Sequence, residues 1–386
     1  TRDREPVRDL TAEDFELLVD GEPVDIVNFG FVDRGSGVDA PTSEEETDPV
    51  PAEAEASELP PPATADAAVE PTTVIVLVDQ LFLSPLSRSR VFETLSNEIE
   101  RLIDLGATIM IVAKTRERVE IEQDFTTSPE LLRSALQSLA DVAPPNYSAE
   151  IRTTAELWDI APLAVESRQT GPGQPTPAIR TSAIDAQSAF QDARGVTQRI
   201  HSDFTASLRA LHRFLDALAG LPDRKALVYV ADQLPVRPAE LLWRIWWQEY
   251  GIEHGSRLGV SATGPSEFDS SLQLEELIAD ATSSRVAFYP IGTDSGPDLA
   301  DASSRGVPSQ GGTVTRTTAS AGADGLQWLS ERTGGRSARG AGTFDGFFSD
   351  LARDLDSYYS LGFVSPYAGD GESHRLEVRV RERGIQ

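Results

Sequence analysis

The sequence predicts a doubly wound, mostly parallel α/β sheet flanked by helices, with a small β-rich appendage made from the two chain ends. Three stretches carry that prediction: Thr72 to Asp79 (TTVIVLVD), Lys225 to Asp232 (KALVYVAD) and Arg285 to Asp294 (RVAFYPIGTD). Each reads as an apolar run without polar alternation, the pattern of a strand buried on both faces, and each ends in a carboxylate. Helical segments separate the three, which specifies crossovers and a sheet covered on both sides.

Taken in order, Leu10 to Val32 holds Asp20-Gly21 between two alternating segments, Phe15 to Val19 and Pro23 to Phe31, a strong hairpin signal. Residues 34–71 are rich in Glu, Pro and Ala and nearly free of large apolar side chains. Such a stretch buries too little to offset its ordering entropy, so a disordered acidic linker is expected. After Thr72 to Asp79 come a loop, Gln80 to Ser87, and a helix over Arg88 to Leu105, with Val91, Leu95, Ile99, Leu102 and Ile103 at helical spacing.

Ala107 to Lys114 is a second buried strand. Val119 to Phe125 follows after a turn too short for a parallel crossover, so that pair is antiparallel. Ser128 caps a helix with Pro129 at its first position. Asn146 to Gln174 is poorly periodic, Gly171-Pro172-Gly173 with two further prolines reads as a loop, and a long amphipathic helix runs from about Thr181 to Ala219, closed by Gly220 and Pro222. Two helices, Asp324 to Arg332 and Thr343 to Leu355, flank Gly334-Gly335, of which the first suits a C-cap. The last strands are Tyr358 to Val364 and His374 to Arg381; in the latter Leu376, Val378 and Val380 alternate with charged residues, which predicts one solvated face. The organisation expected is a hairpin appendage over 1–33, the linker over 34–71, an α/β domain over 72–357 with a Trp-rich insertion at 238–270, and terminal strands over 358–386 that pack with the hairpin.

A net charge of −28 argues against nucleic acid or an anionic membrane as partner and favours basic or metal-bridged ones. There are no cysteines, hence no disulfide framework and no thiolate metal site. No run reaches membrane-spanning length, and the opening TRDREPV is not a signal peptide. The four histidines lack metal-ligand spacing, and Gly-x-Ser-x-Gly, the Walker loop and Gly-x-Gly-x-x-Gly after the first strand are missing. A hydrolase built on two carboxylates is the enzyme alternative that remains.

Trp243, Trp246, Trp247 and Tyr250 fall at i, i+3, i+4 and i+7, one face of a helix. That stripe is either an aromatic surface for a protein partner, with Arg244 beside it, or the buried side of the helix. In open α/β sheets ligands gather outside the carboxyl ends of the strands, which makes Asp79 and Asp232 the candidate functional carboxylates.

The strand and helix order resembles a von Willebrand factor A (VWA) domain. Leu10 to Phe15 (LTAEDF) with Asp20-Gly21, Leu221 to Lys225 (LPDRK), Tyr358 to Phe363 (YYSLGF) and His374-Arg375-Leu376 resemble the VWFA-related proteins common in acidobacteria. The resemblance implies a non-enzymatic, exported protein-interaction domain, with a signal peptide outside this numbering and further strands beyond both ends. It also implies Mg²⁺ or another divalent cation, held by Asp-x-Ser-x-Ser after the first strand, a distant Thr and an Asp after the fourth. Asp79 and Asp232 match the two Asp positions, whereas Leu81 and Leu83 stand where the serines belong. Ser84, Ser87 or Ser89, with Thr181 or Ser182, would have to complete such a cage; otherwise both aspartates cap turns and sit hydrated. The function expected is an adhesion module with a degenerate metal site. The alternative is a structural part of an exported assembly that holds no metal.

Overall fold

A computed structural model describes residues 7, 9–33, 72–83, 85–141, 183–221, 224–292, 325–339, 344–367 and 374–381. The predicted linker over 34–71, the poorly periodic stretch Asn146 to Gln174 and the predicted loop at Gly171-Pro172-Gly173 lie outside the described residues. In chain order the elements are β1 (Phe15–Val19), β2 (Glu22–Val24), β3 (Ile26–Asp33), β4 (Thr72–Asp79), α1 (Pro85–Asp104), β5 (Ala107–Lys114), β6 (Val119–Thr126), α2 (Pro129–Asp141) and α3 (Ala183–Leu218). They continue with β7 (Lys225–Val230), α4 (Glu240–Trp246), a π-helical run (Trp247–Gly255), α5 (Ser271–Ser283), β8 (Val286–Gly292), α6 (residues 325–333), β9 (Ala338–Arg339), α7 (Phe344–Asp356), β10 (Ser357–Phe363) and β11 (Leu376–Val380). The chain divides into two compact units, Thr73–Leu351 and the pair of ends Thr1–Thr72 with Ala352–Gln386.

The larger unit is the doubly wound α/β sheet. Its strand order is β6-β5-β4-β7-β8-β9, with β4, β7, β8 and β9 parallel and β6 antiparallel to β5 at the edge. Side chains alternate between the two faces of each strand. Ile75 and Leu77 of β4, Met110 and Val112 of β5, and Leu227 and Tyr229 of β7 join one core cluster. Phe204, Leu208, Leu211 and Leu215 of α3, Leu274 and Leu277 of α5, and Leu326 and Leu329 of α6 cover them. Helices α1 and α2 pack on β5 and β6 and add nothing to that cluster, so they take the opposite face.

Several element ends differ from the sequence reading by a residue or more, two of them beside the loops that follow β4 and β7. Helix α1 begins three residues early, at Pro85, because proline's fixed φ suits a first helical position. Strand β7 stops at Val230 and leaves Asp232 in the loop beyond it. At the end of α6, Gly334 turns into the left-handed region (φ +76°), and the Gly335 N–H donates back to the Ser330 carbonyl at 2.9 Å, a Schellman closure.

In the smaller unit the two ends of the chain pair with each other. One ladder runs β11-β1-β2 and a second joins β10 to β3, all antiparallel. Asp20 and Gly21, both at positive φ, make the two-residue turn between β1 and β2. Rings of Phe15, Phe29 and Tyr359 meet at centroid distances of 5.3 to 5.7 Å, and the Tyr359 hydroxyl donates to the Val7 carbonyl. The expectation of a single solvated face on β11 needs correction. Leu376 and Val378 are themselves about half exposed (50% and 48%), since β11 is an edge strand with one neighbour among the described residues.

Candidate functional site: the carboxyl ends of the central strands

Asp79 closes β4 and belongs, with Ile75 and Leu77, to the face under α3. Lys114 closes β5 on the same face, in step with Met110 and Val112. The Gln80 N–H donates to the Lys114 carbonyl at 2.9 Å and holds the two strand ends level. The Lys114 ammonium lies 2.8 Å from Asp79 Oδ2, with side-chain exposures of 1% and 0%. Tyr229 of β7 also donates to Asp79 Oδ2, and Lys114 Nζ donates to the Ser207 hydroxyl on α3. The other carboxylate oxygen, Oδ1, accepts the Leu81 N–H at 2.9 Å. Phe82 lies over the ammonium, its ring centroid 5.6 Å from Nζ, and contacts Phe204 edge-on.

Four side chains from three neighbouring strands and the covering helix therefore form one buried polar network. Burial, and then the adjacent Asp79 charge, raise the Tyr229 phenol well above its ordinary value of 10.0. It stays a neutral donor to the carboxylate. Removing one member of such a buried ion pair destabilises by about 3–5 kcal/mol, since the remaining charge is stranded.

The loop after β7 is held by backbone contacts. Ala231 N–H donates to Ile291 O at 3.0 Å, Asp232 N–H to Phe82 O at 2.9 Å, and Ser270 N–H to Val236 O at 2.9 Å. Gly292 and Gly325 admit it: a β-carbon on either would come within 2.2 Å of the Ala231 or Leu234 carbonyl oxygen. Asp232 is half-buried there.

The resemblance-implied cation does not fit these residues. Both Asp79 oxygens already accept hydrogen bonds, and the side chains of Leu81 and Leu83 carry no donor oxygen. A divalent ion 4 Å from the ammonium would be repelled by about 8 kcal/mol at an effective dielectric of 20. Ser84, Thr181 and Ser182 lie outside the described residues, as does the Ser87 side chain, and Ser89 is exposed on α1. Lys114, Ser207 and Tyr229 were missed in the sequence reading.

Of the two readings of the aromatic stripe, the buried one holds and the partner surface does not. Trp243, Trp246 and Tyr250 are buried, against Ala186, Ala189, Ala193 and Val196 of α3, so they are core and not a partner surface. The small side chains on the first half of α3 leave the room that two indoles fill. Trp247, where the helix widens into π geometry, is half-buried and packs against the same cluster. Its ring lies against Gly251 and Gly255, where a β-carbon would fall 2.4 and 2.3 Å from it.

No protein-family model matches the chain, and no curated protein matches it either. Among solved structures, the chain is similar to the N-terminal domain of TFIIH p34, with 10% identity and a TM-score of 0.27 over 73% of this chain and 96% of that one. A likeness that weak says nothing of function, and the fold stands on the strand order itself.

Proposed function

We propose that this chain is a VWA-like protein-interaction module that works outside the cytoplasm, performs no catalysis, and meets its partner with the carboxyl ends of the central strands. The observation that supports this reading is the state of Asp79. A carboxylate with no exposed surface, already bonded to Leu81, Lys114 and Tyr229, is unsuited to proton transfer or nucleophilic attack on a substrate. The rigid loop over Ala231–Val236 offers a pre-formed surface of the kind that binds with little reorganisation. Export follows from the motif resemblance alone.

The full chain, carrying a photo-crosslinking residue at Leu81 or Gln233 in the cell that makes it, is expected to trap a discrete protein partner. The same residue at Leu105, which ends the helix returning to the amino side of the sheet, is expected to trap none. Trapping from Leu105 alone would remove the rim from the mechanism. Digestion by protease added to intact cells checks the location, and complete protection would place the chain inside.

A further inference from the structure

Only two lysines occur in the chain, Lys114 and Lys225, and both are buried, whereas the remaining Lys/Arg positions are all arginine. We propose that the Lys114 ammonium is a tethered cation that permanently fills the place a divalent ion would need beside Asp79, so that this end of the sheet is held together without metal.

The surroundings of Nζ match an ammonium point for point. Two of its protons meet the Asp79 carboxylate at 2.8 Å and the Ser207 hydroxyl, and the Phe82 ring stands within cation–π range, its centroid 5.6 Å from Nζ. A hard divalent cation wants about six oxygen ligands, and this pocket presents one carboxylate and two hydroxyls. The residue type follows from the same geometry. A planar five-donor guanidinium cannot direct its protons into a compact three-point site, and a flexible ammonium can. In a chain that uses arginine for its other Lys/Arg positions save Lys225, lysine at position 114 is the choice the site requires. The inference stands whether or not the rim binds a protein, because it concerns what neutralises Asp79.

Thermal unfolding of the wild-type chain, followed by circular dichroism, is expected to give the same Tm in EDTA and in millimolar Mg²⁺, Mn²⁺ or Ca²⁺. Lys114→Ser removes the ammonium and opens room beside Asp79 for an ion that brings its own water ligands. It is expected to melt lower in EDTA and to recover by about 5 °C in Mn²⁺ at saturating concentration. A saturable rise of the wild-type Tm with any of these ions would overturn the inference, and so would indifference of Lys114→Ser to Mn²⁺. Should Lys114→Ser fail to fold, acylation of the native wild-type chain decides. The α-amino group reacts and Lys114 stays unmodified by peptide mass if the ammonium is locked in the pair, whereas labelling of Lys114 at the α-amino rate would refute it. Absence of a crosslinked partner leaves each of these readouts intact, so the two readings fail separately.

Discussion

Gly335 lies against the carbonyl oxygen of Phe288, so close that a β-carbon at Gly335 would fall 1.9 Å from it. The contact joins the turn after α6 to the middle of β8, and Thr333 adds its hydroxyl as acceptor for the Phe288 N–H at 2.9 Å. Because the obstacle is backbone within a sheet, it cannot swing aside. Gly335→Ala is expected to cost about 3 kcal/mol in urea unfolding. Gly334→Ala, strained only by its left-handed φ, should cost about 1–2 kcal/mol. Gly346, on α7 with open space around it, is the control: Gly346→Ala should stabilise by about 0.5–1 kcal/mol.

Tyr229 gives the network an alkaline signature. Its phenol is raised, above all by burial, over the 10.0 it has in an unfolded chain. The stability tied to it is therefore complete below pH 10 and declines above that value, where the unfolded chain loses a proton that the folded chain keeps. Tyr229→Phe should abolish that part of the alkaline slope and cost about 1.5–3 kcal/mol at neutral pH, the worth of a hydrogen bond to a charged acceptor. Unfolding midpoints in urea between neutral pH and the alkaline range check both.

Trp246→Ala should destabilise by about 3–5 kcal/mol, as a large buried ring leaving a cavity. Trp246→Phe should cost far less, because the buried indole N–H has no acceptor among the described residues and its loss strands nothing. Equal effects of the two substitutions in denaturant titration would contradict the buried placement.

Asp20 ties the β1–β2 turn to the start of β11. His374 Nδ1 lies 2.7 Å from one carboxylate oxygen, and the Arg375 N–H donates to the other at 2.8 Å. The His374 hydrogen bond first, and that of Arg375 second, lower the Asp20 carboxyl from its ordinary 3.8. Its contribution is present above that value and lost as pH falls through the depressed folded one. Protection of the β11 amides, relative to their intrinsic exchange rates, should therefore fall on acidification below about pH 4, and Asp20→Asn should remove that dependence.

The fold class was legible because TTVIVLVD and KALVYVAD have only one physical solution, a strand covered on both faces. Asp79 was legible for the same reason, as the polar residue ending such a strand. Lys114 was not, since a basic residue after ATIMIVA reads as a strand terminator. A signal was present: Met110, Val112 and Lys114 keep the same two-residue step as Ile75, Leu77 and Asp79, which puts ammonium and carboxylate on one face. Ser207 likewise sits among Phe204, Leu208 and Leu211 on the buried stripe of α3. The change to π geometry at Trp247 had no such signal, because the aromatic spacing from 243 to 250 is that of an ordinary α-helix.

The pairing of Phe15 with Val380 sets an order on folding. Strand β1 leaves the ribosome before the strands of the α/β sheet and its partner β11 leaves after them, so the β11–β1 ladder closes only once that sheet has emerged. The strands of the α/β sheet lie between them in the chain, and by the time β9 has emerged that sheet has every described partner it needs. Until β11 arrives, the turn at Asp20 joins two short strands whose apolar side chains, Phe15, Leu17 and Val19, have half a ladder to rest on. An isolated hairpin of that size is marginal in water. The smaller unit is thus begun before the α/β sheet and completed after it, and closing so distant a pair is expected to be its slow kinetic step.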